Sequence, residues 1–127
     1  MKSKLQKLLL LLLLSGTALM AQNPAQLARH EEQISLRIFN AYLKGKETGS
    51  MLASLRRTQK TLRASVQDPL HANLLTYMDL CVVQLGKLLP TPPSPSTIAK
   101  VHDLTHSLAE GSRYIAANRQ QTTLASR

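Results

Sequence analysis

The chain has 127 residues, a formal net charge of +9 and 43% hydrophobic residues. This length leaves room for one small domain, and the single cysteine excludes an intramolecular disulfide. Four aromatic residues (one Phe, three Tyr) are too few for a surface that stacks nucleic-acid bases, so we expect no nucleic-acid partner.

Residues 1–21 have the layout of a secretory signal peptide. Three lysines, at positions 2, 4 and 7, precede a leucine run from 8 to 14, and mostly small residues lead to a cleavage position at Ala21. The uncharged stretch 8–21 has 14 residues, fewer than the roughly 20 that span a bilayer. We therefore predict a periplasmic or secreted protein with no transmembrane span in the mature chain. A retained N-terminal anchor is the alternative.

The mature chain would be basic. It keeps 13 of the 16 Lys and Arg residues and all 7 acids, which gives a formal net charge of +6. A basic surface favours anionic partners such as phospholipid, polysaccharide or small oxyanions. The alternative is a solvated basic face that binds nothing.

The first predicted helix spans about residues 24–44, with a proline in its first turn and Gly45 after its end. Apolar residues recur at helical spacing here and through nearly all of the mature chain, without strand alternation. The helix carries two apolar stripes, which predict contacts with more than one neighbour. One stripe is Leu27, Ile34, Ile38 and Ala41, and the other is Leu36, Phe39 and Leu43.

Three more helices are predicted downstream. The second runs from an N-cap at Ser50 to about residue 67 and carries a run of basic side chains. The third starts after an Asp68 cap and reaches about residue 89. A proline-rich connection at 90–96 follows, and Ser94 or Ser96 caps the fourth helix. The inward residues expected on the third helix are Leu70, Leu74, Met78, Cys81, Leu85 and Leu88.

These elements predict an all-α protein, an antiparallel four-helix bundle over residues 22–120, with a flexible C-terminal tail at 121–127. Cys81 lies in the apolar register of the third helix, which predicts a buried thiol. A disulfide between two subunits is the alternative.

Catalytic signatures are absent from the sequence. The serines and the cysteine have no nucleophile motif around them, so we expect neither an enzyme nor a cofactor. His102 and His106 lie one helical turn apart, a spacing that zinc or copper can use, but no second ligand pair accompanies them. An exposed histidine pair is the favoured interpretation, and a metal- or haem-binding bundle is the alternative.

The segment QISLRIFNAYL at 33–43 resembles the first helix of PilJ/NarX-like sensor domains, which occur in type IV pilus chemotaxis transducers and nitrate/nitrite sensor kinases. The matching positions include Ser35, Arg37 and the Ala-Tyr-Leu at 41–43, and the similarity covers most of residues 25–118. The resemblance implies a periplasmic four-helix sensor module, commonly a dimer in which the first helices face each other.

The resemblance also implies where a ligand would bind. In nitrate sensors of the family an arginine near the dimer axis meets the anion, and that position is Glu32 here. An acid repels nitrate, so nitrate sensing by this route is not expected. The residues that could contact another ligand are Arg29, His30, Ser35 and Arg37.

Two functional hypotheses follow besides the metal- or haem-binding alternative. The first is an exported, non-catalytic, sensor-like module that binds a small ligand, for example an anion, or an envelope partner. The second is a structural or interaction bundle that acts through a homodimer or a membrane-protein contact. In the second hypothesis Leu36, Phe39 and Leu43 form the dimer or partner face.

Overall fold

The computed structural model describes residues 23–125, and side chains through residue 118. The predicted signal peptide lies outside the described residues. The described chain forms four α-helices, α1 (Pro24–Leu43), α2 (Gly49–Ser65), α3 (Pro69–Leu88) and α4 (Pro95–Ala125), and no strand. The predicted all-α four-helix bundle is confirmed. Helix α4 continues to Ala125, past the end expected near residue 120.

Local signals fix both ends of α1. The Asn23 side chain accepts a hydrogen bond from the Gln26 amide (2.8 Å), which satisfies a donor left open at the helix start. At the other end the Lys46 amide donates to the Ala41 carbonyl (2.9 Å), and Gly45 adopts a φ of +66°. This left-handed position favours glycine and turns the chain towards α2.

The other helix starts agree with the sequence, with one exception. Asp68 caps α3 as predicted, by accepting from the Leu70 amide (3.0 Å). Of the two serines considered for α4, Ser94 is the cap and accepts from the Thr97 amide (3.2 Å). Ser50 is not the N-cap of α2, because the helix already begins at Gly49. The Glu47 carboxylate accepts instead from the Ser50 amide (3.1 Å).

The helices alternate in direction around the bundle. Tyr42, near the end of α1, donates a hydrogen bond to the carbonyl of Thr91 just before α4 (3.2 Å). Glu31, in the first half of α1, meets Ser112 far along α4. Helices α1 and α4 therefore run antiparallel, and they form the most extensive helix pair, whereas α2 and α3 form the least extensive one.

The core is a single apolar cluster to which all four helices contribute. Cys81 is buried within it, as predicted, and burial raises the pKa of its thiol. Leu70 was expected inside but is 79% exposed, because His71 takes the inward position at the first turn of α3. No helix within residues 23–125 is long and apolar enough to cross a membrane. The largest buried apolar side chains are Ile38, Leu55, Leu62, Leu75, Met78, Leu85, Leu108 and Ile115.

Candidate functional site

A carboxyl group lies in the middle of the bundle. Glu31 is completely buried, at the position of the apolar stripe between Leu27 and Ile34, and its Oε1 has no hydrogen-bond partner among the described residues. Its Oε2 accepts a hydrogen bond from Ser112 Oγ (3.3 Å). That hydroxyl also donates to the carbonyl of Leu108 (2.7 Å), and its one hydrogen cannot serve both acceptors at once. The hydrogen bonds of the Glu31 carboxyl therefore replace only a small part of the hydration that it loses on burial.

Burial controls the protonation of this group. Loss of hydration raises the pKa of Glu31 to about 8, against an ordinary value of 4.5, while the Ser112 bond opposes the shift and the charge of Asp79 adds to it. The carboxyl is mostly protonated at neutral pH. A side chain with no exposed surface has no route to a substrate in this conformation, so its chemistry here is that of a neutral buried hydrogen-bonding group.

A second polar group joins α2 to α3. The buried Gln59 side chain donates through Nε2 to Asp79 Oδ1 (2.7 Å) and to the carbonyl of Leu75 (3.3 Å). Arg63 forms an ion pair with the same Asp79 from the solvent side and also donates to Thr76 Oγ1 (3.4 Å). Asp79 therefore accepts from two donors on α2, unlike Glu31, which forms no ion pair with a cation in the described part of the chain.

The four predicted ligand-binding residues do not come together. Arg29, His30 and Arg37 lie on the outer face of α1 and are exposed. Ser35 is completely buried on the opposite face, where its hydroxyl donates to the carbonyl of Glu31 (2.8 Å). Within one copy of the chain these residues form no common pocket.

Glu32 has a positive partner on α4. Its Oε1 lies 2.8 Å from Nε of Arg113 on α4, and the Glu32 side chain is 24% exposed. The pair joins α1 to α4 at the edge of the core. Glu32 therefore contributes no free negative charge to the outer face of α1.

Helices α1 and α2 and the turn between them carry a basic surface, in which Arg56 extends from α2 to Gly86 of α3. Residues 23–67 contain eight Lys and Arg and three acids, whereas residues 68–118 contain three Lys and Arg and four acids. Glu31 is buried and Glu32 is paired, which leaves Glu47 as the one exposed acid of the first segment. No acid within the described chain pairs with the members of the basic surface, which are Arg29, Arg37, Lys44, Lys46, Arg56, Arg57 and Lys60.

The histidine pair lies on the surface of α4. The rings of His102 and His106 stack at a centroid distance of 3.8 Å, and His106 Nδ1 lies 2.9 Å from the His102 carbonyl oxygen. Stacked rings do not direct their nitrogens at a common point, as chelation requires. Within the described chain no group of three or more His, Cys, Asp or Glu residues is arranged to hold a metal ion.

The predicted partner face of α1 is partly covered by its own bundle. Phe39 packs edge-on against His102 and His106, at centroid distances of 5.1 and 5.6 Å. Leu36 is half-buried, and Leu43 at the end of the helix is 46% exposed. Only Leu43 presents a large free apolar surface.

Two of the hollows on the described surface are lined by none of the predicted ligand residues. One, of about 170 Å³, lies at the turn between α2 and α3 beside Arg63 and Asp68. The other, of about 470 Å³, is a groove between α3 and α4 with Tyr77 and Tyr114 on its walls. Sequence reasoning missed this groove and the buried Glu31. The signal for Glu31 was an acid at the stripe position between Leu27 and Ile34.

Comparison of the chain with protein families, curated proteins and solved structures found no match. The candidate sites therefore rest on the chain's own geometry and charge.

Proposed function

We propose that the protein is an exported, non-catalytic four-helix module that binds an extended anionic partner through the basic surface of α1 and α2. The observation that carries the proposal is the division of charge. Residues 23–67 have a net charge of +5, and residues 68–118 have a net charge of −1. A one-sided positive field attracts and orients an anionic partner.

The spread of the basic residues favours an extended anion over a small one. Arg29 in α1 and Lys44, the residue that follows the end of α1, are 15 residues apart, a rise of about 22 Å along the helix axis. A small oxyanion requires donors that converge on one point, and the exposed Arg29, His30 and Arg37 line neither of the two hollows described above. An acidic polymer or a surface of anionic headgroups can contact several of these charges at once. The resemblance of the four-helix scaffold to PilJ/NarX-like sensor domains remains a prediction.

The test compares two charge reversals of equal size. Arg57→Glu/Lys60→Glu changes the basic surface, and Lys87→Glu/Lys100→Glu makes the same change of total charge on exposed positions of α3 and α4. The chain without residues 1–21 is titrated with dextran sulfate and, separately, with vesicles of phosphatidylglycerol and phosphatidylcholine. The two probes distinguish an acidic polymer from an anionic membrane.

We expect the α2 reversal to weaken binding by about 2 to 4 kcal/mol, roughly 30-fold to 1,000-fold, because each basic residue near an anionic surface contributes about 1 kcal/mol. The α3/α4 reversal should cost much less, and 1 M NaCl should abolish binding since the Debye length falls to about 3 Å. Equal losses in both variants, or no binding to either probe, would refute the proposal. A saturable rise in Tm with nitrate or phosphate alone would favour a small-ligand site instead.

A further inference from the structure

Two buried side-chain oxygens on neighbouring helices lack hydrogen-bond partners among the described residues. One is Oε1 of Glu31 on α1, and the other is Oε1 of Gln59 on α2. The two residues are 0% and 3% exposed, so neither oxygen is compensated by bulk water. Buried polar atoms are nearly always hydrogen-bonded in folded proteins, so two unpaired oxygens in one small core suggest that each serves the other.

The two side chains lie at the same height in the bundle. Glu31 precedes the end of α1 at Leu43 by 12 residues, and Gln59 follows the start of α2 at Gly49 by 10 residues. Since a helix rises about 1.5 Å per residue, both lie about 15 to 18 Å from the turn that joins these contacting, antiparallel helices. The charge of Asp79, which binds Gln59, also contributes to the raised pKa of Glu31. Both groups therefore lie in one part of the core.

Existing hydrogen bonds fix the roles of the two unpaired atoms. Gln59 donates through Nε2 to Asp79 Oδ1 (2.7 Å) and to the carbonyl of Leu75 (3.3 Å). Both of these partners can only accept, so the amide orientation is fixed and Gln59 Oε1 is left as an acceptor. Glu31 Oε2 accepts from Ser112 Oγ (3.3 Å), which leaves Oε1 as the position for the proton of a neutral carboxyl. One unpaired atom is thus a donor and the other an acceptor.

We propose that protonated Oε1 of Glu31 donates to Oε1 of Gln59, directly or through one buried water, and that this bond is a proton-dependent clamp between the α1/α4 and α2/α3 pairs. The polar groups then form one chain across all four helices, from Ser112 on α4 to Asp79 on α3. Loss of the proton leaves two acceptors facing each other and opens the clamp. The clamp does not depend on anion binding.

The charged groups around the clamp do not offer Glu31 a cation. On α3 the negative charge of Asp79 opposes its ionisation, and Arg63 of α2 is paired with that same Asp79. On α4, Arg113 is paired with Glu32. No cation in the described part of the chain forms an ion pair with Glu31, so its proton is the group that closes the clamp. The other buried ionisable side chains of residues 23–118 are Tyr42, His71 and Cys81.

Carbon-13 NMR of the side-chain carboxyls, on the chain without residues 1–21 between about pH 5 and pH 10, tests the clamp. Glu31→Gln identifies the Glu31 signal, and the pKa of Glu31 is then compared between the natural sequence and Gln59→Met. If Gln59 accepts the proton, its replacement removes a bond made only by the neutral carboxyl. The pKa of Glu31 should then fall, and its acid dissociation constant should rise about 3-fold to 10-fold. Gln84→Met, on the exposed face of α3, is the control and should leave this pKa unchanged.

The direction of the change decides between the clamp and burial alone. Without the clamp, methionine makes the surroundings of Glu31 less polar and removes a donor from Asp79, and both effects raise the pKa of Glu31. A lower pKa in Gln59→Met therefore supports the clamp. An unchanged or higher pKa overturns it, and so does a Glu31 that is already ionised at pH 6 in the natural sequence.

A second measurement needs no replacement of Gln59. In the natural sequence its side-chain amide signals should shift in the same pH step as the Glu31 carboxyl, and this shift should be absent in Glu31→Gln. Amide signals that do not follow the Glu31 step overturn the clamp, whether or not Gln59→Met folds. Anion binding by a protein without the clamp would leave the proposed function standing while removing this inference.

Discussion

The α1/α4 and α2/α3 pairs face each other across the bundle and are held together differently. Helices α1 and α4 form the most extensive contact in the bundle, and each buries small side chains, among them Ala28 on α1 and Ala109 on α4. Between α2 and α3 the contact is smaller, and the long polar side chain of Gln59 crosses it.

Two acids, Glu31 at the α1/α4 contact and Asp79 at the α2/α3 contact, have opposite surroundings. Glu31 lies inside the close α1/α4 contact with no cation beside it, and burial raises its pKa to about 8. Asp79 lies at the edge of the sparse α2/α3 contact, where Gln59 and Arg63 both donate to it. Close packing thus excludes the water and the donors that would support a charge, whereas a looser contact admits both.

Replacement of Glu31 should have the largest effect on the free energy of unfolding and on its pH dependence. The group holds its proton up to about pH 8 when folded and up to about pH 4.5 when unfolded. Between these values the folded state binds more protons, so its contribution to stability is complete below pH 4.5 and is lost as pH rises to about 8. The loss is on the order of 5 kcal/mol. Glu31→Gln imitates the neutral carboxyl and should remove this part of the pH dependence.

Urea unfolding of the natural sequence and of Glu31→Gln at intervals from pH 4 to pH 9 measures this difference. The two free energies of unfolding should diverge with rising pH, with the glutamine variant more stable in alkali. Glu32→Gln is the control, because that neighbour is partly exposed and paired with Arg113, and its curve should remain close to the natural one. Curves for Glu31→Gln and the natural sequence that stay parallel over the whole range would exclude a raised pKa.

Local signals made the helices predictable. The Asp68–Pro69 start of α3 and the glycine after α1 act within one turn of the chain, so their effects are visible in the sequence. Ser50 was misread because a carboxylate three residues earlier performs the capping. Leu70 was misread because its spacing from Leu74 suits the inner face, while only packing shows that His71, whose ring lies 5.8 Å from that of Tyr114, takes the inward place.

The candidate sites were less predictable, since they depend on contacts between distant residues. Glu31 is buried against Ser112, 81 positions along the chain, and a sequence pattern does not show that pairing. The concentration of charge on α1 and α2 was visible in part as the basic run of the second helix. That Arg29 and Arg37 lie outward while Ser35 lies inward required the helix to be placed against its neighbours.

Replacement of Gln59 at the α2/α3 contact should have an effect of intermediate size on the free energy of unfolding. Gln59→Met preserves much of the side-chain volume but removes the bonds to Asp79 and to the carbonyl of Leu75. Loss of these buried hydrogen bonds should lower the free energy of unfolding by about 1 to 3 kcal/mol. Gln84→Met on the exposed face of α3 is the control and should change stability by less than about 0.5 kcal/mol. Equal effects at the two positions would mean that the buried amide does not hold α2 to α3.

The smallest effect on the free energy of unfolding should come from the Arg63–Asp79 ion pair, which lies beside the Gln59 side-chain amide. The Arg63 and Asp79 side chains are 49% and 36% exposed, so water and salt screen their attraction. A double-mutant cycle with Arg63→Ala and Asp79→Asn, measured by urea unfolding, should give a coupling energy of about 0.2 to 1 kcal/mol that disappears in 1 M NaCl. A coupling energy above about 2 kcal/mol, or one that salt does not change, would mean that the Arg63–Asp79 pair behaves as a buried ion pair.

The small coupling energy expected for this pair would mean that Gln59, not the charge pair, carries most of the polar attraction between α2 and α3. The two acids would then differ as their surroundings indicate: ionisation of Glu31 opposes folding, whereas the attraction between Asp79 and Arg63 contributes little to it.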